Sequence, residues 1–194
     1  MNSFDTNLVV WFNGLAGHVR WLDALALILA SDYLLPLGFS VLMFGLWFTG
    51  RTRPARERIQ FIVLVGISAI GLSNVAVVLL NLAWPRVRPY DALPQINLLF
   101  YPSTDPSFPS NPVAVGFAAG AAAWMVNRKL GYTVCVLAFL YGLARMYAGV
   151  FYLTDVVGGA VVGVVVTWAT LWLFRACRPI PQLAIRIVRG LALG

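Results

Sequence analysis

Residues 84–112 read WPRVRPYDALPQINLLFYPSTDPSFPSNP, a polar, proline-rich stretch between long apolar segments. The chain has 194 residues, 60% of them hydrophobic and 11% charged, and a mean hydropathy of +0.82. Against that background the stretch reads as a loop outside a bilayer. Its two ends hold the chemistry, with Arg86, Arg88 and Pro89 at one and Phe108-Pro109-Ser110-Asn111-Pro112 at the other.

Working outward, an apolar span runs over 59–84 before the loop, and an Ala- and Gly-rich one over 112–126 follows it, suited to close helix packing. Further spans cover 33–48, 131–144 and 155–174. The first of these either stands alone or continues a short helix over 21–30 through a bend at Pro36. Residues 8–12 are too few to cross a hydrocarbon core, which needs roughly 20 helical residues, so they suit a helix lying in the interface. The expectation is an all-α integral membrane protein, a bundle of about five to six transmembrane helices with an interfacial N-terminal helix. It forms a single membrane domain over 1–194. Within it, 1–32 are interfacial helices or a hairpin, 33–174 the core with the outer loop 84–112, and 175–194 an amphipathic, basic tail.

Net charge is +7. In a membrane protein this reflects anchoring to anionic head groups, not nucleic-acid binding. If the spans alternate, ten of the 14 Lys and Arg residues (51, 53, 56, 58, 128, 129, 175, 178, 186 and 189) share one side. That side, with the C-terminus, is expected to be cytoplasmic. Arg20, Arg86, Arg88 and Arg145 share the other with the long loop. Arginines clustered there call for an anion. Cys135 and Cys177 have neither CxxC spacing nor a His neighbour, so no disulfide, metal or cofactor is expected. The N-terminus lacks the basic start of a cleaved signal.

Arginine presents planar, bidentate donors to phosphate, and a helix N-terminus adds oriented amides. Arg88, Ser110 and Arg145 bring such groups from three distant parts of the chain to one face. The competing reading is that the arginines snorkel to lipid head groups and that Ser110 or Asn111 caps a helix.

Residues 81–89, Pro109-Ser110-Asn111-Pro112 and 144–155 resemble the three motifs of the type 2 phosphatidic acid phosphatase superfamily: K-x6-R-P, P-S-G-H and S-R-x5-H-x3-D. The 13–25 stretch is also similar to the N-terminal region of bacterial undecaprenyl-diphosphate phosphatases of that superfamily. The resemblance implies phosphate binding by Arg88, Ser110 and Arg145, and a role for Asp155 in orienting a catalytic histidine. It also implies a bacterial inner-membrane location with the site facing the periplasm. The departures are Asn81 for the Lys, Asn111 for the Gly, Ala144 for the Ser, Pro112 for the acid His and Phe151 for the nucleophilic His. Phenylalanine has no lone pair to attack phosphorus, and proline donates no proton. Phosphohistidine chemistry is therefore unavailable, and Asp155 is expected to cap the last span or pair with Arg145.

The only histidine, His18, sits beside Arg20, and one residue cannot fill both missing roles. Asp91 and Asp105 read as turn formers beside Pro94 and Pro106. Phe100, Tyr101, Phe108, Phe151 and Tyr152 read either as interfacial belt residues or as the lining of a lipid-chain groove. The expectation is a catalytically inactive protein that binds a lipid-linked phosphate, such as a polyprenyl phosphate, through Arg88, Ser110, Asn111, Arg145 and Asn81. It would serve transport, presentation or an accessory role beside a membrane-protein partner or a second copy. The alternatives are an active lipid phosphatase with unorthodox catalytic groups, and a purely structural membrane subunit.

Overall fold

The computed structural model describes residues 3–177, and the described residues contain helices and no strand. The helices are α1 (Ser3–Asn13), α2 (Arg20–Ala30), α3 (Leu34–Trp47), α4 (Arg53–Ala83), α5 (Pro89–Ala92), α6 (Asn111–Val126), α7 (Arg128–Tyr147) and α8 (Leu153–Ala176). The segment expected to form the basic tail lies, beyond Cys177, outside the described residues.

The chain is an all-helical integral membrane protein. Among the described residues three helices are long and apolar enough to cross a bilayer alone: α4 with 31 residues, α7 with 20 and α8 with 24. Helices α2 and α3 together are also long and apolar enough, but are bent by 44° at a short break, as in a broken span or a re-entrant loop. Helix α6 is apolar but has only 16 residues. The expected five to six crossings thus become three full-length helices, one broken pair and a short central helix. The break in the pair falls at residues 31–33, not at Pro36. Pro36 sits in the first turn of α3, where a missing N–H removes no helical bond.

Polar caps set other boundaries that hydropathy misses. Asn127 Oδ1 accepts from Lys129 N at 2.9 Å and Leu130 N at 3.2 Å, starting α7 before position 131. Thr52 Oγ1 accepts from Ala55 N at 3.4 Å, and Pro54 follows it, so α4 starts well before position 59.

Helix α6 packs against α4, α7 and α8. Its Ala114, Ala118, Ala119 and Ala123 are fully buried, and small residues on α8 let the two backbones approach closely. A Cβ placed on Gly159 would lie 2.4 Å from Ser110 O, and one on Gly163 would lie 2.3 Å from Ala114 O. Only glycine fits there. Large side chains such as Phe44, Val78, Val161 and Trp172 point outward, as a lipid-facing surface requires.

The N-terminal helices are tied to the bundle at its loop-bearing end. Asn13 Nδ2 donates to Asn97 O at 2.8 Å and Tyr147 O at 2.7 Å, and Asn97 N donates to Asn13 Oδ1 at 2.8 Å. Tyr147 Oη donates to Asp23 Oδ1 at 2.7 Å. These bonds, one buried and three partly buried, hold α1 and α2 against α7 and the outer loop.

Candidate anion site

Arg88 precedes α5 and turns its side chain inward, leaving 3% exposed. Its Nε donates to Asp105 O at 2.9 Å, one terminal nitrogen lies 3.0 Å from Asp105 Oδ1, and the other donates to Val150 O at 3.4 Å. The Phe151 ring lies 4.7 Å from the guanidinium carbon. Arg145, in the last turn of α7, donates to Ala30 O from Nε at 3.1 Å and from a terminal nitrogen at 2.8 Å. It also forms an ion pair with Asp32. A cation at the C-terminus of α2 is favourably placed against the helix dipole, and this contact accompanies the break between α2 and α3.

Both guanidinium groups line one cavity of about 270 Å³, shared with Asp32, Asp105, Asn111, Pro112, Tyr141 and Phe151. Residues from the outer loop, the start of α6 and the end of α7 therefore converge there. Two lining residues carry buried polar atoms with no protein hydrogen-bond partner, Asn111 Oδ1 and Tyr141 Oη; Ser110, next in the chain, is outside the lining, and its buried Oγ also lacks one. Orphaned atoms of this kind carry a desolvation cost that a polar ligand would relieve. Ser110, not Asn111, is the N-cap of α6, yet its hydroxyl makes no capping bond. Ser110 N instead donates to Asp155 O at 3.0 Å.

Asp155 is fully buried and is not part of the cavity lining. Its Oδ2 accepts from Tyr152 N at 2.8 Å, capping α8 as expected. Its ion-pair partner is Arg86, at 2.7 Å, and not Arg145. Arg86 also reaches Asp5 Oδ2 at 2.6 Å and Thr154 Oγ1 at 2.6 Å, and stacks 3.9 Å over the Tyr152 ring. Burial opposes its charge, but Asp5 and Asp155 outweigh that and raise its pKa. The anion that Arg86 called for is thus internal. Asn81 does not line the cavity, though its Oδ1 is buried without a partner. His18 is exposed in the turn after α1 and is likewise outside the lining.

Other expectations change. Phe151 and Tyr152 are buried at 3% and 0% exposure and are not belt residues. Phe100 stacks on Tyr101 with ring centroids 4.4 Å apart and lies 4.7 Å under Arg145. Asp105 binds Arg88 through both its carboxylate and its backbone carbonyl, which the turn reading did not anticipate. Asp32 and Tyr141 carried no sequence signal, since their place at the cavity depends on the α2–α3 break and on the rotation of α7. Among the described residues no group of three His, Cys, Asp or Glu side chains could hold a metal.

The PAP2 superfamily model matches residues 60–179, more than half of the sequence. The chain belongs to the PAP2 superfamily. It is similar to undecaprenyl-diphosphatase BcrC of Bacillus subtilis, at 25% identity over 92% of this chain and 89% of that one. It is also similar to the bacitracin transport permease protein BcrC of Bacillus licheniformis, at 26% identity over 84% of this chain and 76% of that one. The crystal structure of LpxE from Aquifex aeolicus matches with a TM-score of 0.64 and 27% identity, covering 85% of this chain and 93% of that one. A transmembrane PAP2-type phosphatidylglycerolphosphate phosphatase of Bacillus subtilis shares the fold, with a TM-score of 0.63 and 22% identity over 91% of this chain and 88% of that one. In this PAP2 chain Pro112 and Phe151 occupy the cavity wall where the resemblance places histidines. The cavity lining contains two arginines and no histidine or cysteine.

Proposed function

We propose that this PAP2 chain binds a lipid-linked phosphate at the Arg88–Arg145 cavity without hydrolysing it. The observation that supports the reading is the convergence of two buried guanidinium groups with two buried polar atoms that lack a protein partner, Asn111 Oδ1 and Tyr141 Oη, around a wall of Pro112 and Phe151. Asp32 and Asp105 are the internal counter-ions of Arg145 and Arg88. Their side chains are 34% and 54% exposed, so either can return to water when a phosphate replaces it. Removal of a nucleophile and of a general acid each costs roughly 10² to 10⁴ in rate, leaving binding as the retained activity.

The BcrC relative named as an undecaprenyl-diphosphatase supports a polyprenyl phosphate as the ligand class. The protein works in a bacterial inner membrane, with the cavity on the outer face, as a single domain. Its role is transport, presentation or support of a partner enzyme. A second reading is favoured by one observation, that Arg88 and Arg145 already spend most of their donors on protein oxygens. In that reading the arginines are structural.

The test is titration of purified protein in detergent with a short-chain polyprenyl phosphate, alongside a free-phosphate assay. Saturable binding without phosphate release, lost in Arg88→Ala with Arg145→Ala, is the expected result. No binding supports the structural reading, and phosphate release supports an active enzyme.

A further inference from the structure

At the opposite end of the bundle a second cavity, of about 350 Å³, opens between the start of α4, the α6–α7 junction and the end of α8. Arg58, Arg128 and Arg175 line it from three different helices, with Phe61, Trp124 and Trp168 among its apolar walls. All three arginines are exposed. The ion pairs of Arg86, Arg88 and Arg145 all lie at the other end of the bundle.

The local charge is unbalanced. Of the seven acidic residues only Glu57 lies at this end, whereas ten basic residues belong to it or to the sequence that follows α8. That following sequence adds Arg178, Arg186 and Arg189 and no acidic side chain, so positive charge far exceeds negative charge at this end. The first turns of α4 and α7 carry no acidic residue, and their positive dipole ends add to the field. Three guanidinium groups in one cavity match the oxygens of a phosphate. The apolar walls and the exposed tryptophans match the glycerol and upper acyl region beside it. A free phosphate ion would leave those walls unused.

We infer that this cavity is a binding site for an anionic glycerophospholipid, with its phosphate held by Arg58, Arg128 and Arg175 and its chains running along Phe61 and Trp168. It is separate from the Arg88–Arg145 cavity and serves the other leaflet.

The experiment is native mass spectrometry of the full chain in mild detergent, titrated with phosphatidylglycerol, phosphatidylcholine or inorganic phosphate. Wild type is compared with Arg58→Gln/Arg128→Gln and with the control Arg51→Gln/Arg53→Gln, which removes the same charge outside the lining. The expected result is a phosphatidylglycerol affinity lowered about 10-fold or more in the cavity pair and within about 2-fold of wild type in the control. Trp168→Ala should weaken phosphatidylglycerol binding while leaving all charges in place. Equal losses in both arginine pairs would reduce the site to diffuse surface charge and overturn the proposal. Equally tight phosphatidylcholine binding, or binding of inorganic phosphate that displaces the lipid, would also overturn it.

Discussion

Arg86 and Asp155 form an ion pair at 2.7 Å, so the carboxylate that the superfamily resemblance assigns to a histidine here serves a guanidinium. The same arginine binds Asp5 of the N-terminal helix, and both carboxylates are fully buried. The consequence is a structural clamp joining α1, the outer loop and α8.

Removing the clamp leaves two buried carboxylates without a counter-ion. Breaking one partner of such a pair costs about 3–5 kcal/mol. Arg86→Met is therefore expected to lower the unfolding free energy in detergent by about that amount, and adding Asp5→Asn should recover part of it. A loss under about 1 kcal/mol would show that the clamp is not structural.

Tyr141 separates binding from folding. Its hydroxyl is buried close to Arg145 and makes no well-formed hydrogen bond, so Tyr141→Phe should change stability by less than about 1 kcal/mol. If the hydroxyl donates to a bound phosphate, affinity falls by about 10-fold. Equilibrium titration beside a thermal unfolding curve measures both effects. Unchanged affinity would remove Tyr141 from the site.

Asp105 competes with any incoming anion for Arg88, at 3.0 Å, but is more than half exposed. Such a pair is worth about 0.2–1 kcal/mol. Asp105→Asn should therefore tighten phosphate binding by roughly 2- to 5-fold. Weaker binding in this variant would mean that the carboxylate supports the site and does not compete for it.

Gly163 sets the spacing of α6 and α8. A Cβ there would meet Ala114 O at 2.3 Å and Ala118 N at 2.9 Å, both backbone atoms that cannot swing aside. Gly163→Val should cost about 3 kcal/mol through forced separation of the helices. Gly71, with nothing within 4 Å, gives the comparison: Gly71→Val should be nearly neutral.

The sequence made legible what depends on local pattern. Apolar runs located α4, α6, α7 and α8, and the spacing of Arg88, Ser110 and Arg145 placed them at one end of the bundle. The bend before Tyr33 escaped because it coincides with a tertiary contact, Arg145 with Ala30 O, and not with the proline that hydropathy points to. Asp5 escaped for the same reason. It looks like one more polar residue near the N-terminus until α1 folds back and brings it to Arg86, 81 residues away. Asp32 and Asp105, the counter-ions at the cavity, sit in irregular segments whose side-chain direction no periodicity reports. Phe151 and Pro112 could be named from the sequence as departures from the motif, whereas their place in the cavity wall and the unpartnered Asn111 and Tyr141 atoms beside them required the packed side chains.

The most direct measurement is native mass spectrometry of protein purified from membranes, wild type beside Arg88→Ala/Arg145→Ala, with the retained lipids identified. The account predicts an intact phosphate-bearing polyprenyl lipid on wild type and none on the double variant, with both proteins folded. The same lipid retained equally by both, or the dephosphorylated lipid appearing only with wild type, would contradict it.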